Sequence, residues 1–195
     1  SPLGAEEIAG ARKNMDWPYA PFEIPQDVYS AWDGKEKGAV LEQAWNEVMA
    51  SYEKEYPELA AEFKQRMSGE LPTSWNEGIE QACLALQEKN PALATRQSSQ
   101  EAIRGYAPLL PELLGGTADL AASNNTMWAG SKVVTKEDFD GNYVHFGVRE
   151  FAMSAMANGL ALHGGWIPYI GTFLVFSDYA RNALRLSALM GIRVI

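Results

Sequence analysis

The sequence holds one cysteine, Cys83, so no internal disulfide and no cysteine-rich zinc site can form. That residue reads as core filler, and its isolation fits a reducing compartment. The only two histidines, His145 and His163, stand eighteen residues apart, without a second His or Cys at ligand spacing, and so do not compose a metal site. Basic residues are scarce: sixteen Lys plus Arg against twenty-five Asp plus Glu leave a net charge of −9 and a pI near 4.8. That balance disfavours general attraction to nucleic acid or to an anionic membrane, while leaving room for a local basic pocket. No run of about eighteen apolar residues is present, so no segment reads as a membrane span. Neither GxGxxG nor GxxxxGK[ST] occurs, which removes the Rossmann and Walker phosphate loops. A basic leader and an initiator Met are also missing from the opening SPLGAEEIAG. The last residues, Arg193-Val194-Ile195, read as a strand that has just begun after a helix ending at Gly191. Both ends read as cuts inside a longer protein.

What is present is enough for a globular core: 47% of residues are hydrophobic and 21% charged, within the range of folded domains. Residues 1–90 read as helices and connectors. A short helix spans 5–15, and the proline-rich aromatic run WPYAPFEIP (17–25) reads as an extended segment lying on a surface. Val40, Leu41, Ala44, Trp45, Val48, Met49 and Tyr52 recur at helical spacing over 39–56, and further helices are expected at 58–67 and 79–86. After Pro91 the composition shifts toward small, glycine-rich and β-capable segments, which places a domain boundary there and a second domain at 91–195. A helix at 95–106, a strand at 112–118 running into a Gly-Gly turn, a strand at 143–146, a helix at 149–163, a strand at 166–171, a helix at 177–190 and a strand from 193 are expected. Such alternation argues for an α/β fold, a parallel sheet flanked by helices and preceded by a helical connecting segment. Sites in such sheets lie at the carboxyl ends of the strands, where Asp119, Glu150 and Phe173 fall.

Each candidate has an ordinary reading beside a functional one. Gly115-Gly116 before Asp119 and Ser123 permits close backbone approach, and fits a plain turn with a solvated Asp as well. Phe173, Phe176 and Tyr179, spaced by three, would share a helix face as core or as a wall for a flat ligand. Arg96, beside Gln97-Ser98-Ser99, is a solvated helix-start residue or a phosphate ligand with a planar fork of donors. Glu150, between a strand-like run and a helix of small and apolar residues, is a buried carboxylate that either favours the helix N-terminus or does chemistry.

Taken together, SPLGAEEI, WPYAPFEIP, GGTADLAASN, GNYVHFGVREFAM and GTFLVFSDYARNALRLSALM resemble transketolase of the bacterial type, in order, across nearly the whole chain. The resemblance implies that 1–90 is the end of a diphosphate-binding domain plus a helical linker, and 91–195 the N-terminal part of a pyrimidine-binding domain. It implies thiamine diphosphate as cofactor, with Mg2+ or Ca2+ held by residues outside this chain. Glu150 matches the family glutamate that hydrogen-bonds N1′ of the aminopyrimidine and promotes the tautomer that takes the C2 proton. Phe173, Phe176 and Tyr179 match the aromatic wall around that ring, Asp119 and Leu120 match residues beside the cofactor, and Arg96 and Ser123 match the pair that grips a sugar phosphate. Ala122 stands where many relatives carry Pro, with Ser123 still in register.

The family's Gly-Asp-Gly to Asn stretch and its substrate-binding histidines match nothing here. The resemblance further implies ketol transfer from xylulose 5-phosphate to ribose 5-phosphate or erythrose 4-phosphate in a cytoplasmic homodimer with its site between subunits. No nucleic acid or membrane partner is implied, and the fragment alone is expected to be inactive. Two other readings share these features: a dihydroxyacetone synthase fragment, which uses formaldehyde as acceptor, and a non-catalytic module of the same fold.

Overall fold

In the computed structural model, which describes residues 2–195, the chain forms two compact units, Ser1–Glu55 and Tyr56–Ile195. The first contains three helices. In α1 (Ala5–Asn14), Glu6 and Glu7 lie in the first turn and Arg12 and Lys13 in the last, which complements the helix dipole. A helix that the sequence pattern does not announce, α2 (Gln26–Trp32), starts directly after Pro25, with Asp27 in its first turn. The long α3 (Lys35–Glu55) carries the expected apolar stripe, and Val40, Leu41 and Val48 on it are exposed. In the 17–25 run, Trp17 and Tyr19 meet edge to face at 4.9 Å between centroids. Phe22 does not pack as expected: it adopts a left-handed φ of 65° and is fully exposed.

The second unit opens with α4 (Pro57–Ser68), with Pro at its first position and Gly69 at φ 75° closing it. Next come α5 (Trp75–Lys89) and α6 (Thr95–Tyr106). The α6 start is fixed by the Gln97 side chain, which accepts a hydrogen bond from the Ala94 N–H at 3.0 Å. Cys83, on α5, is exposed rather than core. Three strands follow, β1 (Leu113–Thr117), β2 (Tyr143–His145) and β3 (Ile167–Gly171), interleaved with the short α7 (Ala121–Asn124) and with α8 (Glu150–His163); α9 (Ser177–Met190) comes last. The sheet order is β2-β1-β3 and both pairings are parallel, as the helix–strand alternation requires.

Two expectations are corrected at the strands. Gly115-Gly116 is not a turn: both residues lie inside β1, and the chain turns only at Asp119, at φ 62°. The reason is steric. A Cβ at Gly115 would sit 2.2 Å from Tyr169 Cζ, and one at Gly116 would sit 2.2 Å from Phe146 Cε2 and 2.9 Å from the Val144 carbonyl. The central strand is therefore bare on both faces so that rings from its neighbours can cross it. The strand expected from Arg193 is present only as its first ladder bonds: the Ile195 N–H donates to the Pro168 carbonyl at 3.0 Å and the Ile170 N–H to the Ile195 carbonyl at 2.8 Å.

Ile103, Ala107, Leu110, Leu113, Ile167 and Tyr169 form the core, with Trp75, Tyr106 and Trp128 packed against it. α8 and α9 pack on each other, and α8 also packs on β3. No helix among the described residues is long and apolar enough to cross a membrane.

Candidate functional site

Because the three strands are parallel and adjacent, their carboxyl ends lie side by side, and each one leads into a group of the candidate residues. β1 leads to Asp119, Leu120 and α7 with Ser123; β2 leads to Glu150; β3 leads to Phe173, Phe176 and Tyr179.

The turn between β2 and α8 is built by Gly147 and Arg149. Gly147 takes φ 68°, and a side chain there would strike the Arg149 guanidinium. The Arg149 N–H donates to the Gly147 carbonyl at 2.8 Å, and its Nη1 donates to the Phe146 carbonyl at 2.9 Å. That arrangement points Arg149 back along the turn and leaves Glu150 as the first residue of α8, 8% exposed. Among the described residues, no donor or cation is bonded to the Glu150 carboxylate. A buried acid with no internal partner is available to a ligand.

After β3, Phe173 is extended (φ −70°, ψ 145°), residues Leu174–Phe176 make one 3-10 turn, and α9 begins at Ser177. Spacing by three predicts rings on one helical face. The rings do align, although Phe173 lies outside the helix. Phe173 and Phe176 centroids are 6.3 Å apart with planes at 33°, and Phe176 and Tyr179 are 6.2 Å apart at 32°, a stepped row of three rings. Phe173 and Tyr179 are exposed, at 39% and 67%, so the row is not core.

Arg96, in the first turn of α6, reaches α7: its Nη1 lies 3.4 Å from the Ser123 carbonyl. Both residues are exposed, as is Asp119, while Leu120 is half-buried. Arg96 and Phe173 line a cavity of about 790 Å3 that also takes in Thr95, Asn124, Ser154 and Thr172. Glu150, Asp119, Leu120, Ser123, Phe176 and Tyr179 do not line it. The fold thus brings together the rings with one another, and Arg96 with Ser123, and sets Glu150 at the end of β2, with β1 between it and the strand that leads to the rings.

Beneath these groups lies a buried polar network that sequence reasoning misses. Thr117 Oγ1 donates to the Gly171 carbonyl at 2.8 Å and accepts from Asn124 Nδ2 at 3.2 Å. Thr126 Oγ1 donates to Asn124 Oδ1 at 3.2 Å and lies 2.5 Å from the Tyr143 hydroxyl, and the Tyr169 hydroxyl donates to the Thr126 carbonyl at 2.8 Å. These bonds tie the carboxyl ends of β1 and β3 to Asn124 at the end of α7, and the start of β2 to Thr126 just beyond it. Burial raises the pKa of the Tyr143 and Tyr169 hydroxyls above the usual phenol value. A signal exists in the sequence, since tyrosines and threonines around a double glycine can supply hydroxyls to a strand end, but the pattern carries no fixed spacing.

Parallel strands in the order β2-β1-β3, flanked by helices and leading at their carboxyl ends to a carboxylate, a row of rings and the Ser123 partner of Arg96, make an α/β domain of the kind that binds ligands at its strand ends. Residues 91–195 match the family described as "Transketolase, pyrimidine binding domain", and residues 1–72 match "Transketolase, thiamine diphosphate binding domain". The chain belongs to the transketolase family. It is 57% identical over 193 residues to "Transketolase 2" of Vibrio parahaemolyticus, covering 99% of this chain and 29% of that protein. It is 54% identical over 195 residues to "Transketolase 2" of Escherichia coli, covering 100% and 29%. Among solved structures, transketolase from Leishmania mexicana superposes with a TM-score of 0.84 at 35% identity, covering 100% of this chain and 28% of that one. A Pichia stipitis transketolase in complex with sedoheptulose-7-phosphate gives 0.85 at 34%, covering 100% and 29%. The chain spans about 29% of the length of the curated relatives it matches.

Proposed function

We propose that this chain is the part of a transketolase that receives the aminopyrimidine half of thiamine diphosphate. The complete enzyme would move a two-carbon ketol unit from xylulose 5-phosphate to ribose 5-phosphate or erythrose 4-phosphate. The observation that carries the reading is the buried, unbonded Glu150 carboxylate at the end of β2, on the same carboxyl edge of the sheet as the end of β3, which leads to the three-ring row. These residues fit the cofactor's ring: a flat heteroaromatic suits an exposed aromatic row, and a ring nitrogen suits a carboxylate without an internal partner.

When bound, thiamine diphosphate supplies the nucleophilic carbon and electron sink for breaking and forming the carbon–carbon bond. Glu150 holds a proton between its carboxylate oxygen and the ring nitrogen, which keeps proton traffic at that ring fast. Phe173, Phe176 and Tyr179 would wall the ring, one of them stacking on it, and exclude water from it. Asp119 and Leu120 close the flank beside the cofactor. Arg96 offers its remaining guanidinium N–H groups to the phosphate of the sugar, with the Ser123 hydroxyl as second donor.

The domain division at residue 90 belongs to this proposal and is supported by the two family matches, which leave 73–90 between them. So do the divalent metal, the homodimer with its site between subunits, the pentose phosphate pathway and the cytoplasmic location. Among the described residues no group of three or more His, Cys, Asp or Glu could hold a metal ion, and we assign the metal to residues outside this chain. The isolated chain is accordingly expected to show no ketol transfer.

The test is an assay of the complete enzyme with xylulose 5-phosphate and either ribose 5-phosphate or formaldehyde as acceptor. The proposal expects efficient transfer to ribose 5-phosphate. Preference for formaldehyde would make the protein a dihydroxyacetone synthase, and failure with both acceptors would leave a non-catalytic module.

A further inference from the structure

α8 and α9 each follow a parallel strand and run back along the sheet, so they are parallel to each other, with Glu150 at the start of one and Tyr179 in the first turn of the other. α9 buries only Ala180 and Ala183, and it packs on α8. Alanines give a smooth contact: few side chains lock into grooves, and sliding or turning one helix on the other meets little resistance. A smooth interface needs some other feature to select one register.

That feature is Asn158. It is 6% exposed, in a helix with no charged side chain between Phe151 and Leu162. Its Nδ2 donates to the Ala183 carbonyl at 2.9 Å, and its Oδ1 accepts from Ser187 Oγ at 2.5 Å. Ser187 Oγ also lies 3.1 Å from the Ala183 carbonyl. A hydroxyl has one proton, and that carbonyl already takes the Asn158 amide, so the serine proton goes to the nearer Oδ1. Both ends of the amide are thus bonded to α9, one turn apart. A single buried polar side chain in an apolar helix contact is a known way of specifying register, because any slip leaves its donor and acceptor unpaired. The location also suits this role. Asn158 is eight residues beyond Glu150 and Ser187 is eight beyond Tyr179, two turns, or about 12 Å, down each of two parallel helices.

We propose that Asn158, bonded to Ser187 and to the Ala183 carbonyl, is a positioning residue that fixes the α8–α9 register and so holds Glu150 level with the aromatic row. This rests on the cofactor reading of that site. No proton or bond is transferred by the pair; it acts through the placement of Glu150.

The experiment uses the complete enzyme and four variants, Asn158→Leu, Ser187→Ala, Ser187→Thr and Glu150→Gln. Three quantities are measured: amide hydrogen exchange along 177–190 in the cofactor-free protein, the exchange rate of the C2 proton of bound thiamine diphosphate, and KM for the sugar phosphates. Asn158→Leu should speed amide exchange and slow C2-proton exchange by about tenfold, the worth of one well-made hydrogen bond, with KM for the sugar phosphates unchanged. Ser187→Ala should do the same to a smaller degree, and Ser187→Thr, which keeps the hydroxyl, should return both rates toward wild type. If Asn158→Leu does not fold, Ser187→Ala decides. Wild-type rates in the folded Asn158→Leu, or in Ser187→Ala alone, with Glu150→Gln abolishing C2-proton exchange, would overturn the positioning role and leave the site intact. Wild-type C2-proton exchange in Glu150→Gln would remove the cofactor reading, and the positioning role with it.

Discussion

Arg96 and Ser123, on two helices and 27 positions apart in sequence, meet where Arg96 Nη1 lies 3.4 Å from the Ser123 carbonyl. The contact holds a guanidinium and a hydroxyl-bearing residue at one place on the surface, one from the start of α6 and one from α7 beyond β1. For a phosphorylated sugar this supplies charge and a hydroxyl without a glycine-rich loop. In the complete enzyme, Arg96→Ala should raise KM for ribose 5-phosphate by roughly 10- to 100-fold with kcat nearly unchanged, since a charge-assisted hydrogen bond contributes about 1.5–3 kcal/mol. Steady-state kinetics with phosphorylated and unphosphorylated acceptors checks this. An equal loss for both acceptors would mean that Arg96 does not read the phosphate.

The double glycine in β1 predicts a stability effect of definite rank. Gly116→Ala places a methyl group against both the Phe146 ring and the Val144 backbone, and a backbone cannot swing away. Gly115→Ala meets the Tyr169 ring first, and the hydroxyl of that ring is bonded to the Thr126 carbonyl. Both substitutions should destabilise the complete protein, Gly116→Ala by more, on the order of 1–3 kcal/mol for overpacking. Urea unfolding curves of the two variants give the order, and a neutral Gly116→Ala would contradict the close packing described.

Alkaline pH should weaken the fold through the tyrosines. Burial raises the pKa of Tyr106, Tyr143 and Tyr169 above the ordinary value of 10.0. A folded pKa above the unfolded one means that the native state holds its proton more tightly. The resulting stability is fully present below the unfolded value and is lost as pH rises from there through the folded values. Stability should therefore be flat with respect to these groups up to about pH 9 and fall beyond pH 10. Tyr169→Phe should make the alkaline slope shallower while lowering stability at neutral pH, because the Thr126 carbonyl loses its donor. An unchanged slope in Tyr169→Phe would exclude that residue from the effect.

The sequence of α8 leaves open whether its small residues face a second subunit or the domain's own sheet. The structure divides them: Met153, Ser154, Ala157 and Asn158 are buried in the domain, whereas Phe151 and Met156 are exposed, at 51% and 55%. Ala157→Arg, which the interface reading would use to block pairing, instead places a charge in the core and should unfold the domain. Met156→Glu should keep helicity and reduce concentration-dependent self-association, read by sedimentation. Persistent association of Met156→Glu would move the contact to another face.

Much of this fold is legible in sequence for physical reasons that can be named. The bounds of α6 and α9 follow from strong periodicity closed by defined ends, Asn90-Pro91 before one and Gly191 after the other. The strands are legible because each β-capable run sits between helices. The Gly-Gly pair misleads because glycine signals a turn by its backbone freedom, whereas here its missing side chain is what matters, and only the rings of Tyr169 and Phe146 reveal that. Cys83 reads as core on composition, although α5 turns it outward. Glu150 is legible as a buried acid because the small and apolar residues that follow it mark little polar flank to receive it. The Thr117, Thr126, Tyr143 and Tyr169 network is not, since hydrogen bonds between distant hydroxyls leave no spacing to read. Asn158 does leave a signal, a lone amide in the interior of a helix of small and apolar residues.

The account turns on the Glu150 carboxylate, and the most direct measurement is ketol transfer by the complete enzyme carrying Glu150→Gln at saturating thiamine diphosphate and metal. The amide has nearly the same shape but cannot share a proton with a ring nitrogen, so turnover should fall by at least about a hundredfold while the protein stays folded and still binds the cofactor. Wild-type turnover in a folded, cofactor-saturated Glu150→Gln enzyme would contradict the assignment.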